Sequence, residues 1–231
     1  MTSSWASTLV EKISTTTKLF WKGNRQFFIL ITCIFFFKSA VGDINTISGA
    51  SMQPTLFDGD RVWVHKLAYD VRIPFTGITL ASISDPKRGD VIIFDSEKAG
   101  KRLVKRIVGI PGDILLMQNS ALMINGNSLD YKVVTRDQNS LIVIEDIPEK
   151  SHRIQLSNSY INRASRKFGP HEVPPDQYFV LGDNRDNSSD SRIYSFIQRE
   201  ELVGRSSAVI FSLDRENNYL PRRLRFLTDI Y

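Results

Sequence analysis

Ser48-Gly49-Ala50-Ser51-Met52-Gln53-Pro54-Thr55-Leu56 divides this chain. The long apolar run lies before it, and the segments with strand periodicity lie after it. Gly49 and Ala50 are small enough for another segment to approach closely. Pro54 fixes its own φ and pushes Gln53 toward extended geometry, so Ser51 cannot lie inside a long helix. A serine on a stiff, open turn is where a nucleophile is placed. An ordinary polar turn between strands has the same composition, and the stretch alone leaves both readings open.

Working outward to the C-terminal side, Asp58-Gly59-Asp60 reads as a turn, and Arg61-Val62-Trp63-Val64-His65-Lys66 alternates as a strand does. His65 has no partner at a telling spacing. Ile73-Pro74-Phe75-Thr76-Gly77-Ile78 is an apolar loop that either covers the core or dips into lipid headgroups. Pro86-Lys87-Arg88-Gly89-Asp90 turns into the short buried strand Val91–Phe94. The run Lys101–Ile110 follows, then the turn Pro111-Gly112-Asp113. Within that run Lys105 shares its strand face with Leu103 and Ile107 at period two, whereas Arg106 points the other way. Aliphatic neighbours desolvate an amine and lower its pKa. A lysine at a sheet edge, where it discourages aggregation, fits the same periodicity.

Residues 114–172 differ in texture. Asn125-Gly126 is a hairpin signal after Leu122-Met123-Ile124; Val133-Val134 and Leu141–Ile144 are short strands; 145–172 is polar and reads as loops. This is the pattern of an inserted β-hairpin subdomain. His152 and His171 fall here and receive no role. The strand Tyr178–Leu181 then leads into Gly182-Asp183-Asn184-Arg185-Asp186-Asn187-Ser188-Ser189-Asp190-Ser191-Arg192. So many hydrogen-bonding groups make a solvated surface, a calcium loop or a rigid positioning network. The calcium-hand spacing with its terminal Glu is absent, and the arginines oppose a cation. Val203–Phe211 is a closing strand, and the basic tail from Arg215 to Tyr231 is expected to pack one face on the domain.

To the N-terminal side, residues 1–20 are polar and Ser/Thr-rich, and Phe27–Phe37 carries no charge. That pure run is short for a span. Trp21–Val41 makes roughly 30 Å of helix, with Lys22, Arg25 and Lys38 near its ends and Trp21 at an interface position. Lys12, Lys18, Lys22 and Arg25 precede the run, which places the N-terminus in the cytoplasm. Ala40-Val41-Gly42 has the small residues of a cleavable secretory signal, but the leading region is long and Lys38 would sit in the cleavage region, so an uncleaved anchor is expected. Ser51 would then be held near the bilayer surface.

With 231 residues the chain makes one large domain, or one with an excursion. The net charge of +5, with basic residues clustered at the N-terminus and at Arg215, Arg222, Arg223 and Arg225, suits an anionic membrane surface. No nucleic-acid motif appears. Cys33 is the single cysteine, so no intrachain disulfide and no cysteine metal site can form.

Three motifs stand in order after the apolar run: Gly49-x-Ser51-Met52-x-Pro54-Thr55, Lys105-Arg106-x-Val108-Gly109-x-Pro111-Gly112-Asp113, and Gly182-Asp183-Asn184-Arg185-Asp186-Asn187-Ser188. Together with the turns at Asp58-Gly59-Asp60 and Lys87-Arg88-Gly89-Asp90, they resemble type I signal peptidase of bacteria from about Ile44 to Phe211. The resemblance implies a mainly β, barrel-like catalytic domain (42–113 and 173–231) with an inserted β subdomain (114–172), behind a cytoplasmic segment (1–20) and one transmembrane anchor (21–41). It places that domain on the extracytoplasmic side of the cytoplasmic membrane. It also implies removal of signal peptides from exported preproteins after Ala-x-Ala-type sites, contact with membrane lipid but not nucleic acid, and no cofactor or metal.

By the same resemblance Ser51 is the nucleophile and neutral Lys105 the general base, needing no histidine. Ser188 orients the lysine. Asp183, Arg185, Asp190 and Arg192 hold the site, Met52 helps keep it dry, and the Ser51 N–H donates to the oxyanion. Two features depart from many Gram-negative members: Gly49 stands where they have a serine whose hydroxyl completes the oxyanion hole, and one span is seen rather than two. The alternatives are a narrow-substrate Ser/Lys processing peptidase, of pilin, conjugation or organelle type, and a non-catalytic tethered β-domain that binds a partner through the loop at Phe75.

Overall fold

The structure is a computed structural model that describes residues 3–73, 76, 78–118, 121–157 and 167–230. The apolar loop at Phe75 lies outside the described residues. Helix α1 spans Ser3–Ala40. It passes without a linker into strand β1, Gly42–Thr46. Lys66 closes the junction: its Nζ donates to Lys38 O at 2.7 Å and its backbone N–H to Val41 O at 3.0 Å. Cations at a helix C-terminus also complement its dipole.

The anchor expected over 21–41 meets a correction. Among the described residues no helix is long and apolar enough to cross a membrane. The charge-free part of α1, Phe27–Phe37, makes about 16 Å of helix against a hydrocarbon layer of about 30 Å. Gly23-Asn24-Arg25-Gln26 and Lys38-Ser39 interrupt the apolar surface on either side. Trp21, Phe27, Ile29, Leu30, Ile34, Phe35 and Phe37 are nevertheless exposed on this helix.

The rest is strand. In chain order come β2 (Asp60–His65), β3 (Asp70–Arg72), β4 (Thr79–Ser82), β5 (Val91–Ser96) and β6 (Lys101–Gly109). Next are β7 (Ile114–Gln118), β8 (Ala121–Ile124), β9 (Asn127–Ser128), β10 (Asp130–Arg136), β11 (Ser140–Ile147), β12 (Lys150–Ser157) and β13 (Phe168–Glu172). The last are β14 (Gln177–Leu181), β15 (Ile197–Gln198), β16 (Leu202–Asp214), β17 (Leu220–Pro221) and β18 (Thr228–Asp229). A one-turn helix, α2, covers Ser191–Tyr194. The fold is therefore mainly β.

The largest sheet runs β1-β2-β16-β5-β6-β14-β15, with β17 and β18 paired to β16. Its pairs are antiparallel. Strand β5 is its centre because Val91-Ile92-Ile93-Phe94 is apolar on both faces and buried on both. Ile92 and Phe94 join Ile107, Val180 and Leu202 on one side. Val91 joins Ile47, Met52, Leu56, Val62 and Ile230 on the other. Strand β6 lies between β5 and β14, with Lys105 opposite Ile92. Lys105 is thus interior to the sheet, and the edge reading of its periodicity does not apply.

Strands between Ile114 and Glu172 pair among themselves, as β10-β11-β12 and β13-β7-β8-β9. Asn125 and Gly126 have φ of 53° and 80°, the left-handed pair a tight hairpin turn demands. Leu115, Met117, Leu122, Ile124 and Ile147 share one buried cluster with Val108, Phe179 and Leu181, so these sheets close over the same core as β6 and β14. Lys150–Ser157, read as loop from its polarity, is a strand. Its inward positions are His152 and Ile154, and the inward histidine hid the period. The tail buries Ile230 and leaves Leu224, Phe226 and Leu227 exposed.

Candidate active site

Ser51 begins the turn that follows β1, and Lys105 projects from the middle of β6. The two meet across 54 positions of sequence: Lys105 Nζ lies 2.7 Å from Ser51 Oγ. The amine's other partner is Val104 O at 3.0 Å. Lys105 is 2% exposed. Burial lowers its pKa to about 8, and the charges of Asp190 and Asp183 offset only part of that. Among the described residues no ion pair holds the ammonium form, so the neutral amine, a hydrogen-bond acceptor for a hydroxyl, is within reach near neutral pH. Met52, itself buried, packs with Val104 in the cluster behind Ser51.

The loop after β14 clamps the serine turn from the opposite side. Asn184 donates from its backbone to Ser51 O at 3.0 Å and from its side chain to Ala50 O at 3.1 Å. Gly182 has no side chain because one would collide with Ser188 Oγ and Ser51 O. Asp183 is fully buried and takes a two-pronged bond from Arg106, at 2.9 and 2.8 Å, and a third from Thr55 Oγ1 at 2.5 Å. Burial pushes the Asp183 carboxyl up, but the Arg106 guanidinium outweighs it and holds the group below the usual carboxylate range. Asp190 accepts from Arg192 at 2.8 and 2.7 Å and from Gly182 N–H at 3.0 Å. Arg185 pairs with Glu145 of β11, which Tyr131 also contacts at 2.7 Å. These bonds join the loop to β6, to the serine turn and to the β10-β11-β12 sheet at once.

The sequence reading therefore placed Ser51, Lys105, Met52, Asp183, Arg185, Asp190 and Arg192 in one region, and the fold gathers them. Ser188 is adjacent, but its hydroxyl oxygen is buried without a hydrogen-bond partner in this structure, so the expected bond to Lys105 is not formed. Arg106, Asn184, Thr55 and Glu145 were given no role. The first three lie inside the quoted motifs, where the signal was present. Glu145 sits in the polar middle region, where nothing in the sequence marks it. His152 lies beside the network without a hydrogen bond to it, its Nε2 3.3 Å from Glu145 Oε2 and 3.9 Å from Asp183 Oδ1. Burial, helped by the charge of Arg106, lowers its pKa to about 4, so the ring is neutral at pH 7.

A cleft of about 300 Å³ opens beside Ser51 and Lys105, walled by Ile47, Met52, Ile93, Leu103 and Val104, with Asn45 and Arg102 at its polar margin. Its lining mixes these apolar side chains with Thr46, Ser48 and the Ser51–Lys105 pair. The Gly49 N–H is committed to Asp58 Oδ1 at 2.9 Å, which removes it as an oxyanion donor. Among the described residues no group of three His, Cys, Asp or Glu side chains is gathered that could hold a metal ion.

A mainly β scaffold that sets a serine hydroxyl against a desolvated lysine amine, beside a cleft, defines a class: a serine endopeptidase. Similarity to known proteins narrows it. The family described as signal peptidase, peptidase S26, matches residues 21–211. Signal peptidase I P of Bacillus subtilis subsp. natto is 32% identical over 81% of this chain and 86% of its own. Signal peptidase I of Pseudomonas fluorescens is 32% identical over 82% of this chain and 72% of its own. A crystal structure of a signal peptidase I from Enterococcus faecalis V583 aligns with 54% of this chain and 98% of its own at 28% identity, with a TM-score of 0.33. The chain belongs to the signal peptidase family, peptidase S26.

Proposed function

We propose that this chain removes signal peptides from exported preproteins after Ala-x-Ala-type sites, with Ser51 as nucleophile and neutral Lys105 as general base. The observation that carries the reading is the 2.7 Å contact between Lys105 Nζ and Ser51 Oγ, made by an amine stripped of water. As Ser51 Oγ attacks the scissile carbonyl, its proton passes to Lys105. The Ser51 N–H donates to the developing oxyanion. The lysine then protonates the leaving amine as the peptide C–N bond breaks, leaving an acyl-serine. A water attacks the acyl group next, giving its proton to the same amine; the ester bond to Ser51 breaks, the lysine returns the proton to Ser51 Oγ, and the new C-terminal carboxylate leaves. The cleft takes the small residues before the scissile bond.

In this reading Asp183, Arg185, Asp190 and Arg192 keep the loop in place, and Ser188, beside Gly182, turns its hydroxyl to orient the lysine during reaction. Residues 42–113 and 173–231 form the catalytic unit, and 114–172 a β insertion that shares its core. Helix α1 holds the unit against the bacterial cytoplasmic membrane, on its extracytoplasmic side. Its exposed aromatic and aliphatic residues between Trp21 and Phe37 supply the lipid contact. The test is cleavage of a purified preprotein with an Ala-x-Ala site by the detergent-solubilised chain beside Ser51→Ala and Lys105→Ala. Cutting after the second Ala, lost in both folded variants, is expected. A native chain inert on several such precursors points to a narrow-substrate peptidase, and active variants overturn the pair.

A further inference from the structure

The turn that carries Ser51 is also tied down from behind, by the end of the chain. Arg225 lies between β17 and β18. Its Nη2 donates to Thr55 O at 2.9 Å, and its Nε and Nη2 reach the two carboxylate oxygens of Asp60 at 3.0 and 2.6 Å. Asp60 is fully buried and itself accepts the Phe57 N–H at 2.8 Å. The guanidinium lies 4.6 Å over the Phe57 ring, within cation–π range. Two further arginines take Asp58: Arg222 donates to its carbonyl at 2.8 Å, and Arg215 to Oδ1 at 3.2 Å, the oxygen that also holds Gly49 N–H. Ile230 packs with Met52 and Leu56 in one buried cluster. The back of residues 49–60 thus leans on residues 215–230, while Asn184 holds the front.

We propose that this C-terminal strap positions Ser51 for reaction and that Arg225 is its principal positioning residue. The inference rests on the reading of Ser51 and Lys105 given above. Lys105 is fixed on a central strand, so the serine must be brought to it, and a misplacement of about 1 Å can cost on the order of a hundredfold in rate. Arg225 is placed to set the turn without lining the cleft. One planar guanidinium serves a carbonyl and both oxygens of a buried carboxylate together; a lysine cannot match that fork.

The experiment uses the full chain in detergent and a peptide with an Ala-x-Ala site. The parent is compared with Ser51→Ala, Arg225→Ala, Arg225→Lys and Arg223→Ala, the last altering an exposed neighbour. Melting temperature, kcat, KM and the rate of Ser51 labelling by a fluorophosphonate are measured for each. Arg225→Ala is expected to lose about tenfold or more in kcat with KM within about twofold, and to label more slowly by a similar factor. Arg225→Lys is expected to fall between, and Arg223→Ala to match the parent. Folded Arg225→Ala with kcat and labelling rate within about twofold of the parent overturns the proposal. If Arg225→Ala does not fold, Arg225→Lys decides: reduced kcat at unchanged KM and melting temperature supports the strap, and parental kcat overturns it. A parent that labels with the fluorophosphonate no faster than Ser51→Ala overturns the reading of Ser51 and the strap with it, whereas a reactive parent with equally reactive Arg225 variants overturns the strap alone.

Discussion

Lys105 is asked to be buried and basic at once. Burial lowers its pKa to about 8, so at pH 7 roughly a tenth of the molecules hold the neutral amine. With the proton-accepting role proposed above, kcat/KM is expected to rise about tenfold per pH unit below 8 and to level above it. A profile that is flat from pH 6 to 9 contradicts that role. The same burial costs stability. The unfolded lysine keeps its proton up to about 10.5 and the folded one only to about 8, so the unfolded chain binds more protons in that window and stability rises with pH across it. The full penalty, about 3 kcal/mol, is present below pH 8. Lys105→Met, which keeps the shape and removes the charge, is expected to abolish cleavage while raising unfolding free energy at pH 7 by about 1–3 kcal/mol in urea titration. At this scale the stretch around Ser51 and Pro54 shows a turn but not its use, and only the three motifs in order single out the serine. The sequence could not decide between a buried and an edge Lys105, because period two fixes a face but not a strand's place in the sheet.

Among the elements, β11 and β12 show where sequence reading ran out. Glu145 and His152 are polar residues turned inward, toward Arg185, Asp183 and Arg106 of β6 and the loop after β14, and Glu145 pairs with Arg185. Period-based reasoning treats inward polar positions as breaks in a strand, and only pairing across the fold repairs that. Breaking such buried pairs singly is strongly destabilising. The histidine gives the cleaner test. His152 is faced by Glu145 from β11, Arg106 from β6, and Asp183 and Arg185 from the loop. Its folded pKa is about 4 against 6.5 unfolded, so the unfolded chain takes up the proton first as pH falls. Stability should therefore drop by about 3 kcal/mol between pH 6.5 and 4. Asp183 and Glu145 act in a lower window: their stabilisation is complete above the usual carboxylate range and is lost as pH falls through their depressed folded values. His152→Leu is expected to flatten the loss between pH 6.5 and 4 while leaving the steeper acid unfolding below it. An unchanged slope in the variant, followed by denaturant titration at each pH, assigns that loss to other groups.

Taken as a whole molecule, the chain separates a β body from a helix whose described residues enter none of the buried clusters. The three buried clusters begin at Ile47 and contain no residue of α1. The helix meets the body at its C-terminal end, through Lys66 on the carbonyls of Lys38 and Val41 and through the 3.2 Å pair of Lys38 with Asp43. The overall division was legible because hydropathy separates the two regions along the sequence. The length of Trp21–Val41 suggests a span that its composition does not support, because the polar ends dilute the apolar centre. Removal of residues 1–40 is therefore expected to leave a folded body that melts within a few degrees of the full chain and cleaves a short soluble peptide at a comparable kcat/KM. Binding to vesicles containing anionic lipid is expected to fall sharply, because the exposed apolar residues of α1 go with it. Co-sedimentation of both forms with such vesicles, at low and high salt, makes the comparison. A truncated body that binds vesicles as tightly as the full chain moves the lipid-facing surface to the β body. One that unfolds shows that α1 supports the core through contacts beyond the Lys66 junction.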